Sequence, residues 1–347
     1  VITLDEVARL ANVSRGTVDR VIHGRGRVSK ETAKRVKAII KQVNYKPNIL
    51  ARSLSLARTF NFGVLLPYAN QDGNYWLLPR HGVERARRDL EVYKVSVSYV
   101  EYDKYSLSSF NAACDEILEN RGDFDGLLIA PVLSEAMAKF IKRIPANLPY
   151  VFFDSDLPNA QSLTYIGEDS RQSGVLAARL MRLSVHKSGT IATVRVVPRN
   201  DHIDERIQGF TKGLLGDERL KLKVYECDRQ ADPDIFSKIF SRIIEEQGEK
   251  LQGLFVPMAT VAPFARALRG LGLSDDVSLI GYDLTEENAQ CVRDGSIRFL
   301  ICQRSEYQGY ESVNSLFRHI VLNQPVETRK FVPLDIITRE NIDYHME

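Results

Sequence analysis

Two helix-start signals stand so close together near the beginning of this chain that the segments they open must cross steeply. Thr3 with Glu6 three residues on forms a capping box, and Leu4, Val7, Ala8 and Ala11 behind it recur at the spacing of one helix face. Ser14 is a second N-cap, followed by Val18, Val21 and Ile22 at the same three-and-four spacing. Only Asn12 and Val13 lie between the two segments, which predicts a helix-turn-helix unit with Leu10 and Val13 filling its corner. A third helix is expected from the Ser29 cap through Val36, Ile39, Ile40 and Val43, stopping near Asn44, where a residue tolerant of left-handed backbone stands.

The second helix leaves Arg15, Gly16, Thr17, Asp19 and Arg20 on its outer face. Guanidinium forks and a small hydroxyl beside a gap in side-chain bulk suit a DNA major groove, where arginine pairs with guanine through two hydrogen bonds. Charge points the same way. Residues 1–60 hold 13 Lys+Arg against 4 Asp+Glu, and the remainder 34 against 41, so the net +2 conceals a head of +9 on a body of −7. A basic head of this kind takes a polyanion; the plainer alternative is a solvated protein-binding module.

Thr3 to Leu54, with Val13-Ser14, Thr17-Val18, Val28-Ser29, Asn44-Tyr45, Pro47-Asn48 and Ala51, resembles the DNA-binding domain of the lactose/galactose repressor (LacI) family. The rest of the chain resembles that family's effector domain, which is similar to periplasmic sugar-binding proteins. The resemblance implies that Arg15 and Gly16 are the base-reading pair, that Arg20 reaches a base, and that Thr17, Ser29 and Asn48 contact phosphate or backbone. It also counts Thr3, Ser14 and Ala51 among the DNA-facing residues. Asp19 departs from the pattern, because the family commonly has a small hydroxyl residue there. Residues 48–55 are about two helical turns, marginal as an isolated helix. The resemblance makes them a hinge helix that pairs with its copy in a second subunit and wedges Leu54 into a minor-groove step.

From Phe60 to Pro67 a short apolar run reads as a buried strand, and strand and helix alternate after it. Strands are expected near 94–100, 126–130 and 150–153, then near 164–166, 190–196, 221–225, 253–256 and 278–281, with helical stretches between them. Such alternation argues for parallel sheets covered on both faces, and two sets of it for two doubly wound lobes. The expected organisation is a helix-turn-helix domain at 1–46, a hinge at 47–58 and a two-lobed α/β body at 59–347. The first lobe would span about 59–157 and 300–322, the second about 158–299 and 323–340. The late strand near 298–302 and the tail from 330 to 337 would cross back between the lobes.

Ligands in open α/β sheets sit beyond the carboxyl ends of strands, so polar residues just past those ends are the candidates. They are Asn74, Tyr75 and Trp76 after the first strand, Asp154 and Asp156 after Phe153, Arg206 on the helix after Arg195, Asp283 after Tyr282, and Gln303 after Cys302. The resemblance places Asp154, Arg206, Asp283 and Gln303 in the effector cleft. Met258-Ala259 stands where the family usually offers a polar Asn or Asp, so one hydroxyl contact is lost or replaced.

No GxSxG elbow and no P-loop occurs, and His81, His186, His202 and His319 show no metal spacing. Cys114, Cys227, Cys291 and Cys302 are scattered without a CxxC pair, which leaves buried thiols as the expectation. No leader-like segment opens the chain and no window approaches a membrane span, so a cytoplasmic location is expected, with no membrane partner. The reading is a DNA-binding transcriptional regulator, not an enzyme, that needs no cofactor or metal. Its partners would be a pseudopalindromic double-stranded operator, a small carbohydrate-like effector and a second copy of itself, or a higher multiple. The alternatives are a sugar-binding module or a glycoside-processing enzyme that does not bind an operator.

Overall fold

The computed structural model describes residues 2–22, 26–43, 58–197, 200–228 and 235–346. Its head consists of α1 (Leu4–Leu10), α2 (Arg15–Ile22) and α3 (Lys30–Gln42). Both bonds of the capping box form, with Thr3 N donating to Glu6 Oε2 at 2.9 Å and Glu6 N to Thr3 Oγ1 at 3.3 Å. Asn12 turns the corner in left-handed backbone at φ 50°, a conformation its short amide tolerates. Val7, Ala8, Ala11, Val18, Val21 and Val36 form the small core, and Arg35 Nε caps the carbonyl of Ala11 at 3.1 Å.

Leu10 is half exposed rather than filling the corner, because it lies off the stripe that Leu4, Val7, Ala8 and Ala11 define; Val13 is half buried there. His23–Arg25 and 44–57, and with them Asn44, Asn48, Ala51, Leu54 and nearly all of the expected hinge, lie outside the described residues.

The body opens with β1 (Phe60–Pro67), α4 (Leu77–Asp89), β2 (Val95–Tyr102), α5 (Leu107–Glu119), β3 (Gly126–Ile129), α6 (Ser134–Ile141), β4 (Tyr150–Phe153) and β5 (Thr164–Gly167). It continues through α7 (Ser170–Ser184), β6 (Gly189–Val197), α8 (Asp201–Leu214), β7 (Leu220–Asp228), α9 (Ile235–Gln247), β8 (Leu251–Phe255), α10 (Ala262–Gly270) and β9 (Ser278–Tyr282). Last come α11 (Glu286–Arg293), β10 (Phe299–Cys302), α12 (Ser305–Leu316), β11 (Arg329–Phe331) and β12 (Asp335–Ile337).

Two sheets result, ordered β11-β5-β4-β3-β1-β2 and β12-β10-β9-β8-β6-β7. All described pairings are parallel except β10 with β12. Phe62, Val64, Leu65 and Leu66 are fully buried on both faces of β1, as parallel strands under helices require.

Strand pairing moves the lobe boundaries away from those expected. β5 pairs with β4, Phe153 opposite Ile166, and so closes the first sheet instead of opening the second. β10 pairs with β9 in the second sheet, not in the first lobe, and β11 joins β5 in the first sheet rather than the second. Apolar runs announce that a strand exists, but not which edge it will join. The chain therefore crosses between sheets three times, at 168–169, 303–304 and 332–334.

Each lobe is fastened by one pair of helices in backbone contact. A Cβ on Gly82 of α4 would sit 1.7 Å from the Glu306 carbonyl oxygen, and one on Gly309 of α12 2.0 Å from that of Pro79. In the second lobe Gly174 of α7 meets the Arg206 carbonyl at 2.0 Å, and Gly209 of α8 that of Arg171 at 1.9 Å. Backbone cannot yield as a side chain can, so an added methyl forces the helices apart. Gly82→Ala and Gly174→Ala are each expected to cost at least about 1–3 kcal/mol in chemical denaturation. Gly270→Ala, where a Cβ meets nothing within 4 Å, should stay within about 0.5 kcal/mol of the parent.

Candidate functional site

The strand orders place a topological switch point beside β1 in one sheet and beside β6 in the other, and the segments leaving the carboxyl ends of these strands face each other. One cavity lies between them. Tyr75 and Trp76 enter it from the turn before α4, Asp154 from the turn after β4, Arg206 from α8, Asp283 from the turn after β9, and Gln303 from a crossover. Six of the eight candidates expected from sequence thus meet in one place. Asn74 does not: it stands in left-handed backbone at φ 65°, exposed, and serves the turn through its carbonyl, which accepts from Leu77 N at 3.2 Å. Asp156 also faces away and pairs with Arg329.

Asp154 and Asp283 occupy equivalent positions in the two sheets, each directly after a buried strand and each in left-handed backbone, at φ 66° and 64°. Such backbone is uncommon outside glycine and persists because neighbours hold it. Gln308 Oε1 accepts from Asp154 N at 2.8 Å, and Asn288 Nδ2 donates to the Asp283 carbonyl at 2.9 Å. The carboxylates are linked through the lining. Tyr75 O–H donates to Asp154 Oδ1, Gln303 Nε2 donates to the Tyr75 hydroxyl oxygen at 3.1 Å, and the same amide lies 3.3 Å from Asp283 Oδ2. Ser155 donates to Asp154 Oδ2 at 2.8 Å and lies 2.7 Å from His202 Nδ1, a contact that joins one lobe to the other.

Arg206 is 1% exposed. Its Nε donates to Glu168 Oε1 at 2.6 Å, its Nη1 to the Pro257 carbonyl at 2.9 Å, and its plane lies over Tyr282 at 3.8 Å. Burial alone would lower its pKa, but Glu168 beside it prevails and the guanidinium stays charged. Its Nη2 has no hydrogen-bond partner among the described residues, nor has Glu168 Oε2. Arg206 lines the cavity, so its side chain is within reach of a ligand placed there.

Burial pushes the Asp283 carboxyl up to about 7, with Arg206 opposing and Asp154 adding to the rise. Burial likewise raises Asp154, against the hydrogen bonds from Tyr75 and Ser155, and burial holds His202 well below the usual histidine range.

Sequence reasoning missed Asp72, Lys104, Tyr105 and Glu168. Lys104 and Tyr105 follow β2, and Glu168 follows β5, so the strand-end rule would have found them had it been applied to every strand. Lys104 Nζ lies 2.7 Å from Asp72 Oδ2, and Trp76 Nε1 donates to the same oxygen at 3.0 Å. Met258 and Ala259 line the cavity as an apolar patch. A wider depression continues outward past Asp72, Tyr105, Ala259 and Thr260. Among the described residues no group of His, Cys, Asp and Glu could hold a metal ion, and no helix is long and apolar enough to cross a membrane. None of the four cysteines forms a disulfide, and three of them are buried.

On the head, Thr3, Ser14, Arg15, Gly16, Arg20 and Ser29 are exposed and Thr17 is half buried. Ser14 and Ser29 cap their helices by accepting from Thr17 N at 3.2 Å and Thr32 N at 3.1 Å. Among the described residues Arg15 makes a long ion pair with Asp5, 3.4 Å between exposed side chains, a contact worth little in water. Gly16 has no structural reason to be glycine: a Cβ would meet nothing closer than Arg20 Nη2 at 3.8 Å.

The Asp283 carboxyl gives the cleft a testable pH signature. A group whose pKa is raised on folding holds its proton more tightly folded than unfolded, so stability is lost as pH climbs from the ordinary carboxylate range through about 7. Asp283→Asn is therefore expected to stabilise the ligand-free protein at pH 8, by on the order of 1–4 kcal/mol, and to leave it unchanged at pH 4. Chemical denaturation at the two pH values reads the difference, and an equal loss at both would refute the assignment.

Residues 3–48 match the model of the lacI family of bacterial regulatory proteins, and residues 62–324 that of a periplasmic binding protein domain. The chain is 26% identical over 215 residues to the fructose operon regulatory protein of Vibrio cholerae, covering 61% of this chain and 63% of that protein. It is 28% identical over 219 residues to the sucrose operon repressor of Klebsiella pneumoniae, covering 61% of each. The matched stretch thus spans just under two thirds of either relative. A crystal structure from Bacteroides fragilis, described as a LacI transcriptional regulator, superimposes with a TM-score of 0.75 at 27% identity, covering 83% of this chain and 99% of that one. The two domains occur in the order the fold displays, a head that matches the lacI family of bacterial regulatory proteins followed by the body, and the chain belongs to the periplasmic binding protein domain family.

Proposed function

We propose that this protein is a sequence-specific transcriptional repressor of carbohydrate-metabolism genes, acting in the cytoplasm under the control of a small sugar-like effector. What carries the reading is the combination, on one chain, of an exposed helix face that offers Arg15, Gly16, Thr17 and Arg20 with a buried polar cavity between two lobes. The similarity to regulators of fructose and sucrose operons supports it. Two copies would place their α2 helices one duplex turn apart on a pseudopalindromic operator, with Thr3, Ser14, Ser29 and Asn48 positioning them on the backbone. Ala51 and Leu54 would complete the contact in the minor groove. The effector would lie among Tyr75, Trp76, Asp154, Arg206, Asp283 and Gln303 and draw the lobes together, coupled to the DNA by about 1–3 kcal/mol.

The head separates fold from function at Gly16. Glycine inside a helix costs up to about 1 kcal/mol relative to alanine, so Gly16→Ala should stabilise the protein slightly and yet weaken operator binding. Arg15→Ala should lose about 1–3 kcal/mol of discrimination between operator and random duplex at fixed salt. Fluorescence anisotropy with both duplexes checks each variant, and equal losses on both would sink the base-reading role. Asp283→Ala should abolish the response of the operator complex to sugar while operator affinity stays; an unchanged response would remove Asp283 from the site.

A further inference from the structure

We propose that the cleft takes an uncharged polyhydroxylated ligand that donates hydrogen bonds to Asp154 and Asp283, and that it rejects the phosphate ester or carboxylic acid of the same sugar. This rests on the cavity being the effector site and narrows that reading by charge.

Two cations reach the cavity wall, and both are already engaged. Lys104 Nζ is 2.7 Å from Asp72, with both side chains mostly buried, and Arg206 Nε is 2.6 Å from Glu168, with both fully buried. His202 is kept neutral by burial, with Arg206 and Lys104 adding to the effect. Asp154 and Asp283, at the ends of β4 and β9, have no basic partner among the described ion pairs. Four carboxylates therefore stand around two cations, and an arriving anion meets net negative charge where water screens poorly.

Arg206 cannot reverse this. Phosphate and carboxylate are held by the guanidinium fork, two parallel N–H groups at once. Here Nε is taken by Glu168 and Nη1 by the Pro257 carbonyl, which leaves Nη2 alone without a partner. With its charge already matched by Glu168, the guanidinium offers a ligand the N–H groups of Nη2 rather than an unpaired cation. The open acceptor capacity lies on the carboxylates: Asp283 has only the 3.3 Å contact from Gln303, although a carboxylate accepts several hydrogen bonds. A ligand rich in O–H groups supplies those donors, and an added phosphate or carboxylate supplies only more acceptors.

The test uses the full-length protein at pH 8 and isothermal calorimetry with common aldoses, ketoses and polyols, each beside its phosphate monoester and its sugar acid. At least one neutral member should bind, with its charged counterparts weaker by on the order of a hundredfold. In the double variant Asp154→Asn, Asp283→Asn the gap should shrink to within about tenfold, because the repelling charges are gone while amide oxygens remain. A phosphate or acid that binds the parent as well as its neutral sugar overturns the charge argument and leaves the cleft as a ligand site. A gap that survives in the double variant also overturns it, since exclusion would then come from elsewhere. No binding by any member overturns the effector-site reading itself.

Discussion

Arg206 is the point where the body is tied together. From α8 it reaches Glu168 on one crossover, the Pro257 carbonyl after β8 and the ring of Tyr282 at the end of β9, all with almost no exposure to water. Taking a guanidinium and a carboxylate out of water is costly, and removing either partner alone would strand the other at about 3–5 kcal/mol. Well-packed apolar residues would hold the same space at lower cost. The pair is better understood through the guanidinium it holds at the cavity wall, positioned by three elements at once.

That position depends in turn on how closely the helices approach. Gly174 sits against the Arg206 carbonyl and Gly209 against that of Arg171, so α7 and α8 cross with their backbones in contact. α12 and α4 repeat the device with Gly309 and Gly82, and the second of these helices carries Tyr75 and Trp76 at its entrance. Each lobe thus uses a paired-glycine crossing to fix the helix that presents its share of the cleft. The turns holding Asp154 and Asp283 form a second matched pair, braced by Gln308 and by Asn288. Two similar half-sites facing each other bring one carboxylate from each sheet to the cavity, joined through Tyr75 and Gln303.

Much of this could be read from the chain. Caps at Thr3, Ser14 and Ser29 act through residues three positions away, so local pattern is enough to find them. Alternating strands and helices gave the body its class, and strand ends gave Tyr75, Asp154, Arg206, Asp283 and Gln303. Pairing was not legible, because the partner of β5 depends on the register Phe153 with Ile166, a contact between segments that periodicity treats independently. Asn74 was misread because its left-handed backbone turns it outward, which identity alone does not disclose. Glu168 was overlooked because a carboxylate in a Gly-Glu-Asp stretch looks like an ordinary solvated loop until Arg206 is seen beside it.

The chain enters the body through β1, in the sheet that β5 and β11 close, and changes sheets only at the three crossovers. The tether from the head is therefore rooted in one half of the clamshell. Should the halves swing about the crossovers, that root and its own half travel as a single rigid piece, and nothing about the closure is written into the geometry of one tether. If two copies pair as proposed, closure registers as a change in the distance between their two roots, a quantity that a solitary molecule does not have.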